Sequence, residues 1–206
     1  MTVQVRVLPH PRISITIKNS QQMGKLLPPL DLATGKDEIS PNIHYIEVKK
    51  GIATATNGQV IVQVNLRETS ELTEEIIKAL DGKLIHRDVW KAISDAETIE
   101  VDDNSIHYEK GGINADVSID TVHKFPDYQS IVKKIAGAKF EKRSFLAFNP
   151  QFVAIAHKIF KANLVLRFYE DQNMVVLFPA NSNVGFMAVV PMELSAEDAI
   201  LDFSQF

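Results

Sequence analysis

Residues 42–66, NIHYIEVKKGIATATNGQVIVQVNL, read as three strands joined by two tight turns. Lys50-Gly51 and Asn57-Gly58 punctuate them, and Asn-Gly is a strong hairpin signal because both residues tolerate positive φ. Working outward, Arg12–Lys18, RISITIK, alternates at period two and predicts a half-buried strand ahead of the meander. Between them, NSQQMGKLLPPL predicts a short helix from about Ser20, ended by Pro28 and Pro29.

The same order returns twice. Residues 82–96 read as a brief strand and a helix burying Val89, Trp90 and Ile93; residues 97–122 read as three strands, with turns at Asp102-Asp103-Asn104 and Gly111-Gly112. Residues 144–162 read as a strand entering a helix with Pro150 in its first turn, and Phe152, Ile155, Ala156, Ile159 and Phe160 share one apolar face. Residues 163–194 give three more strands. Strand, helix and three antiparallel strands thus recur at 12–66, 82–122 and 144–192, an α+β repeat. A single such unit cannot cover both faces of its sheet, so the units are expected side by side, helices on one face of a continuous sheet. Residues 70–80, SELTEEIIKAL, add a helix with acidic residues near its N-terminus, and 132–143, VKKIAGAKFEKR, reads as a basic linker. The expected division is a complete domain over 1–131, the linker, and a half-domain with a tail over 144–206.

Composition excludes several classes. A net charge of −4 rules out a uniformly basic nucleic-acid binder but leaves room for a basic face. Cysteine is absent, which removes disulfides, thiol nucleophiles and thiolate metal sites and suits a cytoplasmic location. The N-terminus lacks the apolar run of a signal peptide, and no stretch is long and apolar enough for a membrane span. The six histidines lack metal-ligand spacing, there is no P-loop or GxGxxG, and Asp102-Asp103 and Glu74-Glu75 read as a turn and a helix start. No enzymatic activity, cofactor or metal is expected.

Three short motifs carry a family resemblance. Phe125-Pro126-Asp127-Tyr128 stands where the second repeat closes, Thr56-Asn57-Gly58-Gln59-Val60-Ile61 forms the last hairpin of the first, and Val190-Pro191-Met192-Glu193-Leu194 follows the final strand. Together with the repeat, they resemble the bacterial DNA polymerase III β subunit, the sliding clamp, in a shortened, phage-like or divergent version. The resemblance covers roughly residues 12–194 and implies the DNA-clamp fold of βαβββ halves. A family subunit has six halves and dimerises into a ring; this chain has three.

That resemblance implies duplex DNA, held without sequence readout, and DNA polymerase or other clamp-binding peptides as partners, with a homo-oligomer as the assembly. Clamp helices face phosphates, so Lys25, Arg87, Lys91, Lys158 and Lys161 become DNA-binding candidates, with Lys133, Lys134, Lys139, Lys142 and Arg143 in the linker. The family's peptide pocket maps onto Thr56, Gly58, Val60, Ile61, Pro191 and Met192, with Gln59-Val60 in place of the family's His-Arg and Glu193 in place of its arginine. In the tail, Ile200, Leu201 and Phe203 resemble the Leu-x-Phe core of clamp-binding peptides, so the tail is a candidate to dock in its own or a neighbour's pocket. The leading reading is a processivity-factor-like module. A non-encircling clamp homologue that docks or sequesters partners, and an unrelated phage structural protein, are the alternatives.

Overall fold

The computed structural model of the protein describes residues 13–16, 26–137, 149–169 and 174–190. The first meander is β2 (Tyr45–Lys49), β3 (Ile52–Thr56) and β4 (Val60–Asn65), preceded by β1 (Ile13–Thr16). The second is β6 (Thr98–Val101), β7 (Ser105–Lys110) and β8 (Ile113–Ser118), preceded by β5 (Leu84–His86). The third is β9 (Leu164–Tyr169), β10 (Met174–Pro179) and β11 (Gly185–Val189). All three lie where the sequence puts them, because turn chemistry is local. Lys50 and Gly51 both take positive φ, 54° and 78°, as a two-residue hairpin demands. At the next turn Gly58 takes φ 88°, while the Asn57 side chain accepts from the N–H groups of Gln59 and Val60 at 2.9 and 3.0 Å.

The sheets differ from the expected arrangement. Instead of one continuous sheet the described residues form two, ordered β1-β6-β7-β8 and β5-β2-β3-β4-β11-β10-β9. The first two units exchange their opening strands: Ile13–Thr16 pairs with Thr98–Val101, and Leu84–His86 pairs with Tyr45–Glu47. The third meander extends the first one's sheet, with Val60–Val64 antiparallel to Gly185–Val189.

Helices depart further from expectation. Residues 20–25 lie outside the described set; the chain is not helical at 26–29, and a 3-10 turn follows at Leu30–Ala33. The helix expected over 70–80 is shorter, α2 (Glu74–Ala79), and a single helical turn that was not expected, α1 (Leu66–Thr69), precedes it. Asn65 caps α1 by accepting from Arg67 N–H at 3.1 Å, and Ser70 ends it by turning its hydroxyl back to the Leu66 carbonyl. α3 (Arg87–Ser94) follows the sequence closely. Its Trp90 is fully buried and donates its indole N–H to the Pro28 carbonyl at 2.8 Å; Ile93 is buried too, and Val89 half-buried. α4 (Gln129–Gly137) is a correction: the start of the expected linker is helical, its first turn capped by the Asp127 carboxylate, which accepts from Gln129 N–H at 3.1 Å. α5 (Gln151–Phe160) starts immediately after Pro150 and buries Phe152, Ala156 and Ile159, as its apolar stripe requires.

Strand alternation sorts side chains to the two faces of the seven-stranded sheet. Ile46, Val48, Val60, Val62, Val64, Val175, Leu177, Met187 and Val189 join the main core with Trp90 of α3 and Ile159 of α5. Each such aliphatic contributes about 1.5–3 kcal/mol on burial. On the opposite face a small second cluster gathers Tyr169, Val176 and Ala188 against Ile135 of α4. The sheet therefore separates α4 from α3 and α5.

Candidate partner-docking site

The seam between β4 and β11 brings together two segments far apart in sequence. Along it Phe186 faces Gln63, Ala188 faces Ile61 and Val189 faces Val60. At Gly185 the strands approach too closely for a side chain, since a Cβ there would run into the Gln63 carbonyl. Beyond the last pair, Val190 donates its N–H to the Gln59 carbonyl at 3.0 Å, tying the end of β11 to the Asn57-Gly58 turn.

Over this seam, on the α4 side of the sheet, lies the segment Phe125–Tyr128. Pro126 interrupts strand pairing, Asp127 caps α4, and Tyr128 reaches back across the sheet. Its hydroxyl donates to the Glu47 carboxylate on β2 at 2.8 Å, and Phe125 packs edge-on against its ring with centroids 5.6 Å apart. Burial, together with the neighbouring Glu47 carboxylate, pushes the Tyr128 phenol up against the opposing pull of the Thr54 hydroxyl, so it stays a neutral donor. Just upstream, Asp120 accepts from the Tyr45 hydroxyl at 3.0 Å, from the His123 ring at 2.8 Å and from the N–H groups of Val122 and His123 at 2.9 and 2.7 Å. Burial works to raise the Asp120 carboxyl, but these donors outweigh it and hold it at about 2. Burial and Asp120 push Tyr45 up to about 12. This clasp fixes residues 120–123 to β2.

What the segments do not fill is a pocket of about 180 Å³. Thr56, Gly58, Gln59, Val60 and Ile61 form one wall; Pro126, Asp127, Tyr128 and Ile131 form a second; Met174, Ala188, Val189 and Val190 form the third. The Thr56 hydroxyl is committed to the turn, donating to the Val60 carbonyl at 2.7 Å. The lining is mostly aliphatic. Small-molecule sites usually occupy about 300–1,000 Å³, so this volume suits one or two apolar side chains of a peptide.

Solved structures give this arrangement a context. The fold is that of the bacterial sliding clamp. A Pseudomonas aeruginosa DNA polymerase sliding clamp superposes with a TM-score of 0.59 at 13% identity, covering 93% of this chain and 70% of that one. The DNA polymerase III subunit beta of Borrelia burgdorferi, in complex with a natural product, gives 0.58 at 13%, covering 95% and 67%. The Thermotoga maritima beta subunit gives 0.57 at 13%, covering 92% and 68%. No protein-family model matches the chain, and no curated protein matches it by sequence. The likeness to clamps is one of fold, carried by backbone topology.

Within this clamp fold, four of the expected pocket residues, Thr56, Gly58, Val60 and Ile61, do line one cavity. Pro191 and Met192 lie outside the described residues, as do Ile200, Leu201 and Phe203 of the tail. The sequence reading missed the middle wall. The sequence shows Phe125–Tyr128 only as the place where the second repeat closes, yet Pro126, Asp127 and Tyr128 belong to the cavity itself. An aromatic with a polar tip beside a proline was the available signal, but Glu47 as its anchor could not be seen without the sheet.

The expected cations divide. Lys91 on α3, and Lys158 and Lys161 on and after α5, are exposed on helices that pack against the main core. Arg87 is half-buried and donates to the Gly35 carbonyl at 2.7 Å, so structure takes much of its reach. Lys133 and Lys134 are exposed on α4, across the sheet from α5, and share no surface with Lys158 and Lys161. Lys25, Lys139, Lys142 and Arg143 lie outside the described residues. Among the described residues no helix is long and apolar enough to cross a membrane.

Proposed function

We propose that the protein is a clamp-like docking module of DNA replication: it holds a partner's peptide in the pocket at the β4–β11 seam and duplex DNA along the helix side. The observation that carries this reading is the apolar pocket itself, built from three separate segments within a clamp fold. A leucine or phenylalanine anchor entering it would bury apolar area against Val60, Ile61, Ile131 and Met174. Pro191 and Met192, next in sequence after Val190, would extend the same wall. DNA polymerase and other clamp-binding proteins are the expected partners; the module performs no chemistry and needs no cofactor. A cytoplasmic location fits this role.

For DNA the contact set would be Lys91, Lys158 and Lys161, supplemented by Lys25. α5 carries no carboxylate, and Asp88 on α3 is the acidic neighbour of that surface. Attraction of this kind is electrostatic and blind to sequence. The division of lysines between the two faces favours a second reading, a non-encircling homologue that binds replication partners with little hold on DNA. The tail, through Ile200, Leu201 and Phe203, would compete for the pocket in either case.

Fluorescence anisotropy with a labelled peptide bearing Leu-x-Phe anchors tests the docking half. Saturable binding is expected, weakened at least about tenfold by Ile61→Arg, which sets a charge in the apolar wall. A chain shortened to end at Leu194 is expected to bind the peptide more tightly. An affinity indifferent to Ile61→Arg would refute the pocket. Duplex binding at low salt, with a log–log salt slope near −0.9 per phosphate contact, tests the DNA half; no binding there leaves the docking module alone.

A further inference from the structure

The apolar pocket at the β4–β11 seam carries a charge at its mouth. Among its described lining residues Asp127 is the one side chain ionised at neutral pH, and none is a lysine, arginine or histidine. Asp127 is exposed, whereas the neighbouring Tyr128 is buried. Its Oδ1 accepts from Gln129 N–H at 3.1 Å, and among the described residues its Oδ2 takes no protein donor. The positive end of α4 offsets only about half of that charge. A second carboxylate, Glu47, stands behind the same wall on the Tyr128 hydroxyl. The cations closest in sequence belong elsewhere. Lys124 lines a separate cleft with Glu47 and Asp120, and Lys133 and Lys134 are exposed on α4 outside the lining.

We propose that the pocket's partner is a peptide with an arginine or lysine next to its apolar anchor, and that Asp127 selects it. This rests on the pocket taking a peptide and adds the chemistry of that peptide. The anchor fills an apolar volume of about 180 Å³, which discriminates size and shape but not charge. The adjacent cation lays its methylene stem along the apolar lining and brings its head to the Asp127 Oδ2, a charge-assisted contact. An acidic residue at the same place meets a like charge beside a low-dielectric wall, so the carboxylate rejects as well as attracts. Asp127 therefore has two tasks. One oxygen caps α4, and the other reads the partner.

Fluorescence anisotropy on the full chain tests this with two labelled peptides that share Leu-x-Phe anchors, one flanked by arginine and one by glutamate. The arginine peptide is expected to bind about fivefold more tightly at low salt. Asp127→Asn keeps the α4 cap, since asparagine serves there as well as aspartate, and removes the charge; the difference between the peptides should then largely vanish. Asp116→Asn removes the same charge from β8 of the other sheet, where the side chain is 62% exposed, and should leave the difference unchanged. A salt series needs no variant: the difference should narrow between about 50 and about 500 mM salt, as a charge contact near the surface is screened. Equal affinities overturn the selection and leave an apolar docking pocket. So does a difference that survives Asp127→Asn, one that Asp116→Asn abolishes equally, or one indifferent to salt. Failure of both peptides to bind overturns docking itself, and the selection with it.

Discussion

The two faces of the seven-stranded sheet are held by different means. On the α3 and α5 side, valines and isoleucines from β2, β4, β10 and β11 meet Trp90 and Ile159 in one continuous apolar core. On the α4 side the apolar cluster is small, and the covering segment is fastened by polar anchors, Tyr128 on Glu47 and Asp120 under Tyr45 and His123. Apolar area fills space without direction, so it closes the core; anchors fix a few points and leave gaps between them. The pocket is such a gap.

The contrast can be broken first on the core side. Trp90→Ala removes the largest fully buried side chain and one of two donors to the Pro28 carbonyl, which keeps the Leu30 N–H, so a loss of about 3–5 kcal/mol is expected. Denaturant melts would show it, and a smaller loss would mean that the core collapses around the vacancy. Next comes the seam. Gly185→Ala forces a Cβ onto the Gln63 carbonyl, with an expected cost of about 1–3 kcal/mol. Because β11 supplies one pocket wall, peptide affinity should fall with it; unchanged affinity would uncouple the pocket from the seam.

The α4 side should respond more weakly in stability and more strongly in binding. Tyr128→Phe removes one hydroxyl and leaves the Glu47 carboxylate short of a donor, costing about 1 kcal/mol. Its effect on peptide binding should exceed that of Trp90→Ala measured well below the melting temperature, and the reverse order would overturn the contrast drawn between the faces. The smallest effect is in acid. Asp120 is held near 2 in the folded chain, below an ordinary value of about 3.9. Its contribution is therefore present above about pH 4 and lost as the pH falls towards 2. Asp120→Asn should flatten that part of the stability–pH curve, and an unchanged curve would show that the clasp contributes nothing.

Legibility followed the range of the interactions. The Lys50-Gly51 and Asn57-Gly58 turns, the α5 stripe and the burial of Trp90 were visible because each is decided within a few residues. The helix at Gln129–Gly137 was not, because Lys133 and Lys134 beside small residues suggested a solvated connection. Only the sheet beneath shows what Ile135 packs on. One of the three walls of the candidate site was legible through Thr56–Ile61. Its middle wall was in view as Phe125–Tyr128 but misjudged, since the partner of Tyr128 lies on β2.

By itself, the sequence determined the three meanders and the turns at Lys50-Gly51 and Asn57-Gly58, since period-two patterning and positive-φ residues act locally. Only the tertiary structure decided which strand lies on which: β1 on β6, β5 on β2, β4 on β11. Strand edges pair through backbone N–H and C=O groups that every residue carries alike. Their choice of neighbour depends on which faces must be buried together, and with that choice came the seam and the pocket.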